Sequence, residues 1–225
     1  MSGAYLLIAL IGIIGMIVQG RLKSKFNKYG KIPLRAGMSG KEIAEAMLEA
    51  HGIDDVKVIS TPGALTDHYN PLKKTVNLSG PVYGSRSVAA AAVAAHEVGH
   101  AVQHARGYRW LKLRSAMVPV VSFSSKLISI LLIAGIMMIH AFPQLLLAGI
   151  VLFALTVIFS FITLPVEYDA SARAKRWLDE SGLVTAEEKK GVADALKWAA
   201  RTYVVAALSS LATLLYYINI YNSRR

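Results

Sequence analysis

Four long apolar segments constrain this chain more than anything else in it: Ala4 to Val18, about Leu127 to Phe142, about Gln144 to Leu164, and Tyr203 to Tyr221. A bilayer holds no water to satisfy an open backbone, so each segment crosses it as a helix or not at all. With 54% hydrophobic residues in 225, the chain is too apolar for an ordinary soluble domain and too short for several large ones. It reads as an α-helical membrane protein with about four transmembrane helices. The first segment lacks a positive leading region and a small-residue cleavage site, and Arg21, Lys23, Lys25, Lys28, Lys31 and Arg35 follow it. That pattern describes a signal anchor and not a cleaved peptide. Only Pro143 and its neighbours separate the second and third segments, which therefore form a tight hairpin. Lys126 is expected at the cytoplasmic edge of the second, its stem snorkelling to the headgroups.

The formal charge of +11 is concentrated beside these segments. No base-reading helix with interleaved aromatics is present, so the basic residues read as positive-inside flanks and no nucleic-acid partner is expected. Counted from an outside N-terminus, both hydrophilic stretches face the cytoplasm of the cell membrane, and only Arg224 and Arg225 disagree. The expected layout is transmembrane helix 1 over 1–20, a first catalytic part over 21–115, a transmembrane hairpin over 116–164, a second catalytic part over 165–201, and helix 4 with the tail over 202–225. The two hydrophilic parts read as one split domain resting on the bilayer. Oligomeric state is left open.

Within the first hydrophilic stretch, Ser39-Gly40-Lys41-Glu42 is a capping box that opens an amphipathic helix closed by Gly52. His51 fits a last-turn residue of that helix. Val56 to Ile59, Leu65 to Tyr69 and Thr75 to Leu78, separated by Thr61-Pro62-Gly63 and Asn70-Pro71, predict a short three-stranded meander. An exposed sheet edge of this kind can hold an extended peptide by main-chain hydrogen bonds.

The chemistry is carried by His96-Glu97-Val98-Gly99-His100. Residues 87–95, nearly all alanine and valine, form helix readily, so the two imidazoles four residues apart share one face and can grip one Zn²⁺. The same pattern would also fit a buried helix with ordinary core histidines. There is no cysteine, which removes disulfides, thiolate catalysis and cysteine zinc sites, and leaves histidine and carboxylate to hold a metal. Zn²⁺ on two imidazoles and one further protein ligand lowers the pKa of a bound water from 15.7 to about 7. Glu97 is then placed to take the water's proton and deliver it to the leaving amine.

Asp67-His68-Tyr69-Asn70-Pro71, Thr75-Val76-Asn77-Leu78-Ser79, the helix Ser87 to Gln103, and Pro165-Val166-Glu167-Tyr168-Asp169-Ala170-Ser171 together resemble the neutral zinc metallopeptidases of bacterial membranes, the YugP type. The resemblance spans essentially the whole chain. More distantly, a histidine pair, a membrane hairpin and then a helical glutamate are similar to the HtpX-like and CAAX-type gluzincin peptidases. The resemblance implies a small α+β zincin-like catalytic domain, one Zn²⁺ per chain, His96, His100 and Glu167 as metal ligands, Glu97 as general base, and a protein or peptide substrate that is membrane-associated or misfolded. One departure matters: gluzincin relatives commonly carry Asp four residues after the glutamate, and here Ser171 stands there.

His68, Tyr168 and Arg173 are candidate oxyanion donors. His104 lies on the helix of the other two histidines and reads as a surface residue. Gln103 and Arg106 stand where a metzincin needs Gly and His, which excludes that class. Two other functions compete: an intramembrane site-2-type protease, because residues 87–103 are almost uncharged, and a metal-binding scaffold without hydrolysis. The alanine content argues against the first, and Glu97 against the second.

Overall fold

The computed structural model describes residues 2–224. Among the described residues, seven helices and one small sheet follow in this order: α1 (Ser2–Gly30), α2 (Gly40–Ala50), β1 (Lys57–Thr61), β2 (His68–Asn70), β3 (Thr75–Ser79), α3 (Gly80–Tyr83), α4 (Val88–Ala105), α5 (Arg109–Met137), α6 (Pro143–Glu180) and α7 (Ala186–Arg224). Among the described residues, four helices are long and apolar enough to cross a membrane: Tyr5–Gly30, Arg109–Met137, Pro143–Glu180 and Ala186–Ser223. The chain is an α-helical membrane protein with a small α+β part. It divides into two compact units, Met1–Val18 with Lys112–Leu164 and Thr202–Arg225, and Gln19–Leu111 with Pro165–Arg201.

In the first unit, two glycines set the α5–α6 hairpin. A Cβ on Gly135 would lie 2.8 Å from Leu146 Cβ, and one on Gly149 would lie 3.2 Å from the Leu132 backbone nitrogen. Ile128, Leu132, Leu146, Ile150 and Ile220 are buried around this contact.

The second unit is built on α4. Ser87 caps it by accepting from Ala90 N–H at 3.2 Å. Every residue from Val88 to Ala95 is buried, as is nearly all of the next two turns. A helix apolar on all sides needs neighbours on all sides, and alanine lets them come close. Ile43 and Met47 of α2, Val76 and Leu78 of β3, and Leu178, Ala195 and Leu196 supply them. Each large side chain fully buried here contributes roughly 1.5–3 kcal/mol by area. The capping box forms as the sequence predicts, with Ser39 and Glu42 each satisfying the other's backbone.

Three expectations are corrected. The sheet is mixed and not a meander: its order is β1-β3-β2, with β1 parallel to β3 and β2 antiparallel to it. All five residues of β3 are buried, so that strand takes the centre, and three-residue β2 is left at an edge. Second, Pro165 in the sequence reads as the start of a new helix with Glu167 in its first turn, but it lies inside the 38-residue α6, so Glu167 is mid-helix. A proline removes one backbone donor but can be carried where neighbours compensate. Third, the second apolar helix ends at Met137 and starts at Arg109, so Lys126 is not near its end.

Candidate metal centre

The histidine pair and Glu167 come together because α4 and α6 touch at Gly99. A Cβ on Gly99 would lie 2.6 Å from Ala170 O and 3.1 Å from Ala170 Cα. Any larger residue holds the two backbones apart. One turn before Ala170, Glu167 meets the histidines: its Oε2 is 3.3 Å from His96 Nε2 and 3.7 Å from His100 Nε2. Ligand atoms of the three groups all lie within 4.8 Å of one another. Glu167 is 2% exposed and His100 is 7% exposed, whereas His96 is partly open to solvent.

These donors fit a zinc ion. Ligands about 2.0–2.1 Å from a tetrahedral Zn²⁺ stand about 3.3 Å apart, close to the two distances that Glu167 makes. Two imidazoles and a carboxylate also leave one tetrahedral position for water or substrate.

The outer nitrogen of each histidine is held. Gln103, fully buried, donates from Nε2 to Val166 O at 2.7 Å and to Asp169 Oδ2 at 2.8 Å. With its amide nitrogen so committed, its Oε1 faces His100 Nδ1 at 3.0 Å and accepts that ring's proton. The Nε2 lone pair of neutral His100 is then turned toward Glu167. His96 Nδ1 lies 3.1 Å from Ser171 Oγ. The residue that departs from the gluzincin pattern therefore still holds a histidine, through a neutral hydroxyl in place of a carboxylate. Asp169 is engaged elsewhere, by Gln103 and by Arg173 Nε at 2.6 Å.

Electrostatics tie the three groups together. Burial alone would push the Glu167 carboxyl up, but hydrogen bonds and charge from His100 and His96 outweigh it and hold the group well below the usual carboxylate range. Burial pulls His100 down, and the Glu167 carboxylate, Glu97 and Gln103 together more than offset it, so its pKa is raised. Without a metal the cluster is a buried histidine–carboxylate pair. A metal bound there would displace a proton from it.

The other candidates are placed as follows. Glu97 is buried on α4 at 8% exposure, and its charge acts on His100. His68 contacts Thr66 O at 2.8 Å on the edge strand, Tyr168 is half exposed, and Arg173 holds Asp169. His104 lies 2.8 Å from Tyr69 Oη, outside the three-residue cluster. His51 closes α2 with Nδ1 on Met47 O at 2.8 Å. Gln103 was visible in the sequence only as a mismatch to another motif. Its spacing of three from His100, one helical turn, is the signal that marks it.

A family model described as "Putative neutral zinc metallopeptidase" matches residues 4–222. The chain is 43% identical over 221 residues to a Bacillus subtilis (strain 168) protein named "Putative membrane protease YugP", an overlap of 98% of this chain and 97% of that protein. No solved structure matches the chain.

Proposed function

This chain belongs to the neutral zinc metallopeptidase family, and from that premise we propose that it is a membrane-anchored endopeptidase with His96, His100 and Glu167 as zinc ligands and Glu97 as general base. The observation that carries the reading is the convergence of those three ligand groups within 4.8 Å in a buried site. Zn²⁺ held there would acidify a water and polarise the scissile carbonyl. Glu97 follows His96 directly on α4, takes the attacking water's proton and passes it to the amine as the peptide bond breaks. Gln103 and Ser171 keep the two imidazoles in the tautomer that leaves Nε2 free. Edge strand β2 supports the binding of an extended peptide by main-chain pairing.

The intramembrane alternative fares worse, because α4 is absent from the membrane-length helices and packs inside the second unit. The scaffold alternative is separated by experiment. Purified protein is expected to carry close to one zinc per chain, to hydrolyse casein or a partly unfolded peptide, and to lose that activity on chelation. Zinc at one per chain with no hydrolysis of any unfolded substrate would favour the scaffold.

The catalytic part is assigned to the cytoplasm of the cell membrane on the basic run from Arg21 to Arg35. The chain has no cysteine, so single cysteines report cleanly. A cysteine at Lys57 or Glu187 is expected to be blocked only by reagents that cross the membrane, and one at Ala141 by impermeant reagents. Labelling at Lys57 from outside would invert the topology and make the substrates extracytoplasmic.

A further inference from the structure

Lys126 stands at the middle of a membrane helix. It lies 12 residues after Arg114 and 11 before Met137, where α5 ends. At 1.5 Å per residue, that places it about 18 Å and about 16 Å from those points, in a hydrocarbon layer about 30 Å thick. The hairpin register agrees. Gly135 packs on Leu146 and Gly149 on Leu132, so Lys126 is level with about Leu155, the centre of the apolar 144–164 stretch. A lysine stem reaches roughly 6 Å, too short to snorkel to either surface from there.

The side chain is exposed, on a face it shares with Phe123, Ile130, Ile133 and Met137, which are 66%, 66%, 62% and 81% exposed. An ionisable group inside the bilayer is costly and is retained where something pairs with it. The chain's own membrane unit cannot supply that charge. Residues 1–18, 112–164 and 202–225 contain no Asp or Glu. A second copy of the chain, with the same segments, brings none either.

We propose that the exposed face of α5 around Lys126 docks the transmembrane helix of another protein, one carrying an Asp or Glu near its midpoint. The apolar residues on either side of Lys126 supply the packing surface, and the buried charge pair sets depth and selectivity. In the membrane, polar contacts between helices select partners that apolar packing alone would not.

The test uses the full chain in phosphatidylcholine vesicles, with a donor dye on Ala141→Cys. The probes are acceptor-labelled leucine–alanine helices of membrane length with a central Glu, a central Leu, or a Glu near one end. The central-Glu helix is expected to associate at least about tenfold more tightly than the other two. Lys126→Leu should abolish that preference, Lys126→Arg should keep it, and Lys126→Glu should transfer it to a helix with a central Lys. Equal energy transfer for the Glu and Leu helices, or a preference that survives Lys126→Leu, would overturn the proposal. So would loss of the preference on adding phosphatidylglycerol, which would identify a lipid headgroup as the lysine's partner.

Discussion

Glu97→Gln is expected to leave zinc at one per chain and to lower kcat for peptide hydrolysis by at least about a thousandfold, about 4 kcal/mol in the barrier. The change is nearly isosteric, so α4 should keep its packing, and the proposed ligand atoms on His96, His100 and Glu167 are untouched. What disappears is a group able to accept a proton. Because Glu97 is 8% exposed, water cannot easily stand in for it. The zinc content is the control that gives the measurement meaning. If the variant keeps both its zinc and its activity, the general-base role is wrong. If it loses zinc, Glu97 belongs to the ligand set, and the loss of activity says nothing about proton transfer. A variant that binds without cutting would also hold substrates long enough to identify them by crosslinking and mass spectrometry.

The parts of this fold that were legible in the sequence are those fixed by local chemistry. Ser39 with Glu42 marks a helix start through hydrogen bonds spanning three residues, and the box forms; the alanine-rich run from Ser87 likewise forms its helix. Long apolar runs admit one backbone solution in a bilayer, so the four membrane-length helices follow from composition. The sheet order was not legible. Three short strands and their turns specify that pairing occurs, whereas burial of β3 on both sides, a tertiary fact, decides which strand is central. Pro165 misled for a related reason: a local helix-breaking signal was overridden by packing along α6. The place of Lys126 along its helix was equally hard to read, because the helix end at Met137 leaves no trace in an apolar run that continues to Phe142. At the metal centre, His96 and His100 announce themselves by spacing. Gln103 offers only its one-turn spacing from His100, and Ser171 and Asp169 offer no local signal, since their parts depend on the approach of α6 to Gly99.

Glu167→Ala is expected to weaken zinc binding by more than about a hundredfold and to remove activity with it, whereas Asp169→Ala should weaken binding by about tenfold to a hundredfold. The difference follows from what each carboxylate touches. Glu167 Oε2 faces both histidine Nε2 atoms, and its loss leaves two ligands where a catalytic zinc site needs three. Asp169 reaches the site only through Gln103, whose amide also holds Val166 O, so part of the orientation of His100 survives its removal. The pH dependence supplies a second readout. In the parent protein the Glu167 carboxylate raises the His100 pKa, so zinc competes with a proton, and affinity falls as pH drops through that raised value. Without Glu167 the largest influences that raise the His100 pKa are gone, so that pKa falls and the fall in the residual affinity should move to lower pH. Asp169→Ala should leave that pH profile near the parent's, because Glu167 is still present. Normal zinc binding by Glu167→Ala, with loss in Asp169→Ala, would make Asp169 the third ligand and would require α6 to turn so that Asp169 releases both Gln103 and Arg173.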